Sequence, residues 1–226
     1  IARKGELTLM LTVGLTGDVG AGKSTVAACW KKQGATVVDT DEIVRELWKT
    51  DRLKRAALER FGERVLKSGT LELDAQYLST RVFSHREDYE WVCSLLHPLV
   101  FHEVEAALKS GYVWFVIEIP LLFEAGRPDW IDLAVYVSAP EEERISRTER
   151  RGWGKGDLRA REKWLLPSER KAGMADILIQ NQGELEDLRR KALVIGGKMR
   201  EIAASISRWD SLEKRMQKRF IREMCE

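Results

Sequence analysis

Cysteine is scarce in this 226-residue chain: Cys29, Cys93 and Cys225 are the only three, odd in number and far apart. They form no C-x-x-C pair and no metal-ligand spacing, which excludes a zinc ribbon or a disulfide-stapled scaffold and fits reduced thiols in a cytoplasmic protein. With 5 prolines and 17 glycines, the chain is not low-complexity or collagen-like. No apolar run approaches the ~18–20 residues that span a bilayer. The apolar stretch from Leu7 to Leu15 also lacks the longer core and cleavage site of a signal peptide. Charge of one sign is missing too: 38 Lys and Arg face 36 Asp and Glu, a net +2. A nucleic-acid binder needs a concentrated basic face, and bulk charge does not supply one here. Neither a nucleic acid nor a membrane is therefore expected as a partner; the oligomeric state is left open.

What the chain does have is material for a core. Hydrophobic residues make up 44% and charged residues 33%, so disorder is excluded as the dominant state. The first residue is Ile1, and a start at Met10 would make residues 1–9 an extension. Short β-rich apolar runs at Leu9–Thr16, Ala35–Asp39, Tyr112–Ile119, Leu133–Val137 and Asp176–Gln180 alternate with helical spacing. The pattern predicts an α/β fold, a parallel sheet covered by helices on both faces. Between the second and third strands, residues 41–110 follow helical spacing, broken at Gly62, Gly69 and His97-Pro98, and form an expected side subdomain. After the helix at Leu185–Ile206, Trp209, Leu212, Met216, Phe220 and Met224 recur every three or four residues among basic ones. That stripe predicts a C-terminal amphipathic helix over residues 207–226, a surface helix packing one face on the domain.

One motif decides the class. Gly17-Asp18-Val19-Gly20-Ala21-Gly22-Lys23-Ser24 satisfies G-x-x-x-x-G-K-[ST] and sits directly between a strand and a helix. Triphosphate needs many donors in a small volume with no Cβ in the way, and Gly17, Gly20 and Gly22 let the backbone turn its N–H groups inward. The helix behind adds its positive end. Lys23 reaches the β- and γ-phosphates, and the Ser24 hydroxyl ligates Mg²⁺. A P-loop NTPase-type fold binding ATP is the expectation, with Gly17, Val19, Gly20, Ala21, Gly22, Lys23, Ser24 and Thr25 as the nucleotide cradle.

The remaining residues separate the P-loop classes. A guanine-reading N-K-x-D is absent, and Asn181-Gln182-Gly183-Glu184 shares only its first residue. The third strand closes in Glu118-Ile119-Pro120 with no acidic pair to activate water, which disfavours a GTPase switch. Asp39-Thr40-Asp41 ends the second strand beside the loop. A carboxylate there accepts a proton from an acceptor hydroxyl or holds a water on Mg²⁺; Asp41 is assigned that role and Asp39 a supporting one, against the plainer reading that Asp41 caps the helix behind it. Arg144, Arg147, Arg150 and Arg151 precede the flexible Gly152-Trp153-Gly154-Lys155-Gly156. A basic helix end running into glycines suggests a lid over residues 144–165 that closes on the triphosphate, with Arg147 and Arg151, one turn apart, as its charges. Trp153 is the lid residue to watch for contact with a base or pantetheine.

Gly17–Thr25, Val37–Asp41, Leu96-His97-Pro98, Ile119–Gly126 with its Pro-Leu-Leu-Phe-Glu-Ala-Gly, and Ala175-Asp176 followed by Asn181-Gln182-Gly183 occur in the order seen in dephospho-CoA kinases. The resemblance runs from about Met10 to Ile195. It implies transfer of the γ-phosphoryl group of ATP to the ribose 3′-hydroxyl of dephospho-CoA, within a kinase domain at residues 10–206 whose insertion at 41–110 lies on the acceptor side. Carried over with it are Lys23, Asp41, Arg147 and Arg151 as catalytic, Asn181 on the nucleotide, and Asp39, Asp41, His97, Leu121, Glu124 and Arg161 on the acceptor. Four positions depart from the family pattern. Asp18 stands where glycine is usual, which requires its side chain to turn outward. Ala75 follows Asp74 where Asp-Arg is usual, Trp164 occupies a frequent glutamine position, and Glu118 replaces a frequent aspartate. Other P-loop small-molecule kinases, acting on a nucleoside, nucleotide or sugar acid, are the nearest alternative. A non-catalytic nucleotide-binding regulator is the alternative from another class.

Overall fold

All seven residues of β1 (Leu11–Gly17) are buried, a pattern that only a strand covered on both faces shows. The computed structural model describes residues 10–150, 152, 153 and 156–225, with side chains as far as Trp209. Residues 1–9, read above as an extension, lie outside them. Strands β1, β2 (Thr36–Asp39), β3 (Trp114–Glu118), β4 (Leu133–Ser138) and β5 (Ile177–Gln180) form one sheet in the order β2-β3-β1-β4-β5. Every pairing is parallel. Strand β1 lies at the centre, and the chain leaves it first toward β2 and later toward β4. Ligands bind outside the carboxyl ends of the strands at such a switch point.

The two faces of the sheet have separate cores. On one, Val13, Leu15, Val116, Val135, Val137 and Ile179 pack against α1 (Lys23–Lys32) and α9 (Leu185–Cys225). On the other, Phe115, Ile117, Ala134 and Tyr136 meet Val100, Val104 and Leu108 of α5 (Arg86–Leu108). Between β2 and β3 come α2 (Thr40–Leu47), α3 (Asp51–Phe61), a 3₁₀ turn (Glu63–Val65), α4 (Ala75–Ser84) and α5. Ala57, Val65, Leu78 and Val82 give this insertion a small apolar cluster of its own. The expected breaks at Gly62 and Gly69 are present, both glycines having positive φ. The break at His97-Pro98 is not, because α5 runs through Pro98. A proline inside a helix costs about 3 kcal/mol, and the buried face Leu96, Val100, Val104 and Leu108 offsets it by removing four large side chains from water.

Beyond β4, α6 (Glu141–Glu149), α7 (Asp157–Glu162) and α8 (Ser168–Met174) lead to β5. Helix α9 then continues unbroken past Ile206 to Cys225, so the backbone of the C-terminal stripe is helical. Trp209, the first residue of that stripe, is 71% exposed and does not pack on the domain as expected; the side chains beyond it lie outside the described residues. Trp30 Nε1 donates to Ala192 O at 2.7 Å and Gln33 Nε2 to Leu193 O at 3.0 Å, fastening α9 to the helix behind the phosphate loop. Among the described residues no helix is long and apolar enough to cross a membrane.

Candidate active site

Between β1 and α1 the backbone is arranged so that carbonyls are held and N–H groups are left over. Asn181 Nδ2 donates to Ala21 O at 2.8 Å, Arg147 Nη1 to Gly20 O at 3.3 Å and Arg144 Nη1 to Val19 O at 3.4 Å. Lys23 Nζ donates to Gly17 O and Asp18 O, both at 3.0 Å. Among the described residues, none accepts from the N–H of Val19, Gly20, Gly22, Lys23 or Ser24. Helix α1 starts at Gly22 with no side-chain cap and no acidic residue in its first turn. Uncapped donors plus the helix dipole make an anion site. Two glycines are compulsory here. A Cβ on Gly17, at φ 152°, would lie 2.2 Å from Val137 O, and one on Gly22, at φ 109°, 2.7 Å from Leu188 Cδ2.

Carboxylates from two neighbouring strands face this loop. Asp39 and Glu118 are register partners at the ends of β2 and β3. Asp39 is the N-cap of α2, its Oδ1 accepting from Asp41 N at 2.9 Å and Glu42 N at 3.4 Å. The cap is therefore Asp39 and not Asp41, because the chain turns helical already at Thr40; Asp41 sits in the first turn. Burial, then the charge on Asp39, pushes the Asp41 carboxyl up, while Lys23, Arg45 and Arg161 pull it down. Burial also lowers the Lys23 ammonium against the pull of Asp41, Glu118 and Asp18. Glu118 is pushed up to about 7 by burial, Asp39 and Asp41, with Lys23 opposing. A surplus of negative charge is held beside a cradle built for anions, an arrangement that a divalent cation would balance.

The sign of that surplus can be tested. Glu118 in the unfolded chain titrates near 4.5, so below that pH both states carry the proton and the fold has its full stability from this group. As pH rises through about 7 the folded carboxyl must ionise among like charges, and that stability is lost. Glu118→Gln is expected to flatten this slope and to make the ligand-free protein more stable than wild type at pH 8, by roughly 1–3 kcal/mol. Urea denaturation at pH 5 and pH 8 measures it; equal pH slopes in the two proteins would remove the charge cluster.

Opposite the carboxylates lies Arg161. Its guanidinium is stacked 4.1 Å from the Trp153 ring and 4.7 Å from that of Phe83, and it donates to Ser79 Oγ at 3.0 Å. A cavity of about 550 Å³ is lined by Tyr89, Cys93, His97, Glu124 and Trp164, among others. Burial lowers the His97 imidazole. Glu124 Oε1 accepts from Leu166 N at 3.1 Å, and its Oε2 is buried without a partner among the described residues.

The family model for dephospho-CoA kinase matches residues 11–187. The chain belongs to the dephospho-CoA kinase family. The dephospho-CoA kinase of Geobacillus kaustophilus is 34% identical over 212 residues, covering 91% of this chain and 100% of that protein. That of Corynebacterium glutamicum is 36% identical over 186 residues, covering 80% of this chain and 95% of its own. The crystal structure of TT1252 from Thermus thermophilus superposes with a TM-score of 0.69 at 32% identity, covering 84% of this chain and 98% of its own.

For a dephospho-CoA kinase the residues singled out in the sequence are unevenly placed. Gly17, Val19, Gly20, Ala21, Gly22, Lys23, Ser24 and Thr25 form the loop and the start of α1, with Ser24 exposed. Arg147 is held against the loop by Gly20 O and paired with Glu143. Arg151 lies outside the described residues. Arg144 is a buried brace, bonded to Ala139 O, Val19 O and Glu162. Asn181 is spent on Ala21 O and lies under the loop as a support. Leu121 opens the turn after Pro120, its carbonyl accepting from Ala125 N at 2.9 Å. Trp153 presents its ring face to the Arg161 guanidinium. Trp164, at the glutamine position, donates from Nε1 to Phe83 O at 3.0 Å.

Asp18 overturns its expectation. The side chain turns inward, where Tyr136 Oη donates to Oδ1 at 2.5 Å and Ser168 Oγ at 2.7 Å. Lys171 behind it makes burial tolerable, since an ammonium offsets the charge that solvent would otherwise have to screen. Sequence reasoning passed over Lys171, Tyr136 and Ser168, which carry no local motif. It also left Glu118 out of the site; a carboxylate closing an otherwise apolar strand next to the P-loop strand was the available signal.

Proposed function

We propose that this chain phosphorylates dephospho-CoA through the cradle and carboxylates described above, with the following division of labour. The reaction is the ATP-dependent conversion of dephospho-CoA to coenzyme A, by transfer of the γ-phosphoryl group to the ribose 3′-hydroxyl. The loop N–H groups of Val19, Gly20, Gly22, Lys23 and Ser24 hold the β- and γ-phosphates. Lys23 leaves the carbonyls of Gly17 and Asp18 to meet the phosphate oxygens, and Arg147, already at the loop, adds a second positive charge as the transition state spreads charge over the γ-oxygens. Asp41 accepts the proton of the acceptor hydroxyl as the new O–P bond forms and the bond to the β-phosphate oxygen breaks, releasing ADP. Its raised basicity suits that task. Arg161 holds the acceptor side opposite Asp41, His97 and Glu124 line the acceptor cavity, and Leu121 opens the turn that carries Glu124 to it.

The residues present fit a magnesium ion delivered with the nucleotide. Among the described residues no three His, Cys, Asp or Glu side chains are grouped to chelate a metal by themselves. Magnesium in such sites takes one or two protein oxygens and completes its shell with phosphate and water. Ser24 and the Asp39 carboxylate would hold it, where it supplies neutralisation of the β- and γ-oxygens.

The observation that carries this reading is the set of loop N–H groups left without acceptors among the described residues, beside a Lys23 ammonium that interacts with the Asp41 carboxylate. The test is mass analysis of product after incubation with ATP, Mg²⁺ and dephospho-CoA. A product heavier by one phosphate, formed only with both substrates, is expected; ADP release without dependence on dephospho-CoA would defeat the assignment.

A further inference from the structure

Lys171 is a buried ammonium that no step of the transfer uses. Its side chain is 2% exposed and sits between two carboxylates, Asp18 Oδ1 at 3.4 Å and Glu124 Oε1 at 3.9 Å. Asp18 is the second residue of the phosphate loop, and its backbone carbonyl accepts from Lys23 Nζ. Glu124 lines the acceptor cavity. Both distances exceed the ~2.7–2.9 Å of a charge-assisted hydrogen bond, so one cation is shared and neither carboxylate has it fully. The other ties are unequal. Asp18 Oδ1 already accepts from Tyr136 and Ser168, whereas Glu124 Oε2 is buried with no donor among the described residues.

From this geometry we propose that Lys171 is a positioning residue that couples the acceptor cavity to the phosphate loop. A hydrogen-bond donor on the bound acceptor satisfies Glu124 Oε2, weakens the hold of Glu124 on Lys171 and lets the ammonium close on Asp18. That closure fixes the loop in the shape its N–H groups need for phosphate. Coupling of this kind is reciprocal, so nucleotide in the loop tightens the acceptor by the same factor. The inference rests on the reading of the Glu124 cavity as the acceptor side.

Calorimetric titration of dephospho-CoA into the full chain, with and without a non-hydrolysable ATP analogue, tests it. Wild type is expected to bind dephospho-CoA at least about fivefold tighter when the analogue is present. Asp18→Asn keeps an acceptor oxygen for Tyr136 and Ser168 but removes the charge facing Lys171. It should abolish the coupling, so that dephospho-CoA binds equally with and without the analogue, and raise KM for dephospho-CoA and KM for ATP together, each severalfold at saturating co-substrate. A change confined to loop shape would instead weaken ATP and leave the analogue still tightening dephospho-CoA. Glu124→Gln, which removes the charge on the other side of Lys171, should abolish the same nucleotide dependence. Nucleotide dependence kept in either folded variant, or wild-type acceptor affinity indifferent to the analogue, would overturn the proposal. The wild-type arm needs no variant, so it stands even if a substitution disturbs folding. Failure of dephospho-CoA to bind at all would strike the assigned reaction; binding without nucleotide dependence would strike only the coupling.

Discussion

Lys23→Ala lowers kcat by about three orders of magnitude and leaves the fold intact: that is the largest effect expected of any single change in this protein. Removing one preorganised donor from a charge-stabilising site costs ~10²–10³ in rate, and Lys23 has a second duty. It opposes the charge of both Asp41 and Glu118, where Arg45 and Arg161 act on Asp41. Without it the carboxylates repel one another and the incoming triphosphate, so ATP affinity falls along with turnover. The variant loses the lysine's bonds to Gly17 O and Asp18 O, but Asn181, Arg144 and Arg147 still hold the carbonyls of Ala21, Val19 and Gly20 from outside. Steady-state assay beside far-UV circular dichroism reads both halves of the expectation. Turnover unchanged in a folded variant would refute the role of the P-loop.

The second large effect falls on Asp41. Asp41→Asn is expected to reduce kcat by ~10²–10⁴, the range for losing a positioned general base, with KM for ATP within about twofold of wild type. The separation is expected because Asp41 lies across from the loop, on the first turn of α2, and contributes no donor to phosphate. The pH profile supplies the sign. A base must be ionised, so wild-type kcat falls as pH drops through the raised pKa of Asp41, and the asparagine variant loses that limb. Retained kcat would take Asp41 off the catalytic list and turn attention to Glu118, the neighbouring carboxylate pushed up to about 7.

Much of the architecture was legible because it is local. The five strand segments expected from apolar runs correspond to β1–β5 within two residues at each end. Lys23–Lys32 is helical ahead of Gly34, whose φ is 103°. One local signal misled. Pro98 suggested a break, yet α5 is held through it by a buried face whose partners lie on β3 and β4, far away in sequence. The alternative weighed against a catalytic Asp41, that it caps α2, falls away because the cap is Asp39.

By itself the sequence determined the phosphate cradle. Inward N–H groups require glycine where a Cβ would strike β4 or α9, and that requirement is written in consecutive residues. The charges were decided elsewhere. Asp18 just after β1, Asp39 and Asp41 at the end of β2, Glu118 from β3, Glu124 after it and Lys171 from α8 acquire neighbours only through the sheet order and the helices laid across it. An electrostatic interaction depends on distance and on the water excluded around it, not on separation along the chain. Whether Asp18 faces solvent or a buried ammonium was therefore a question only the packed structure answers.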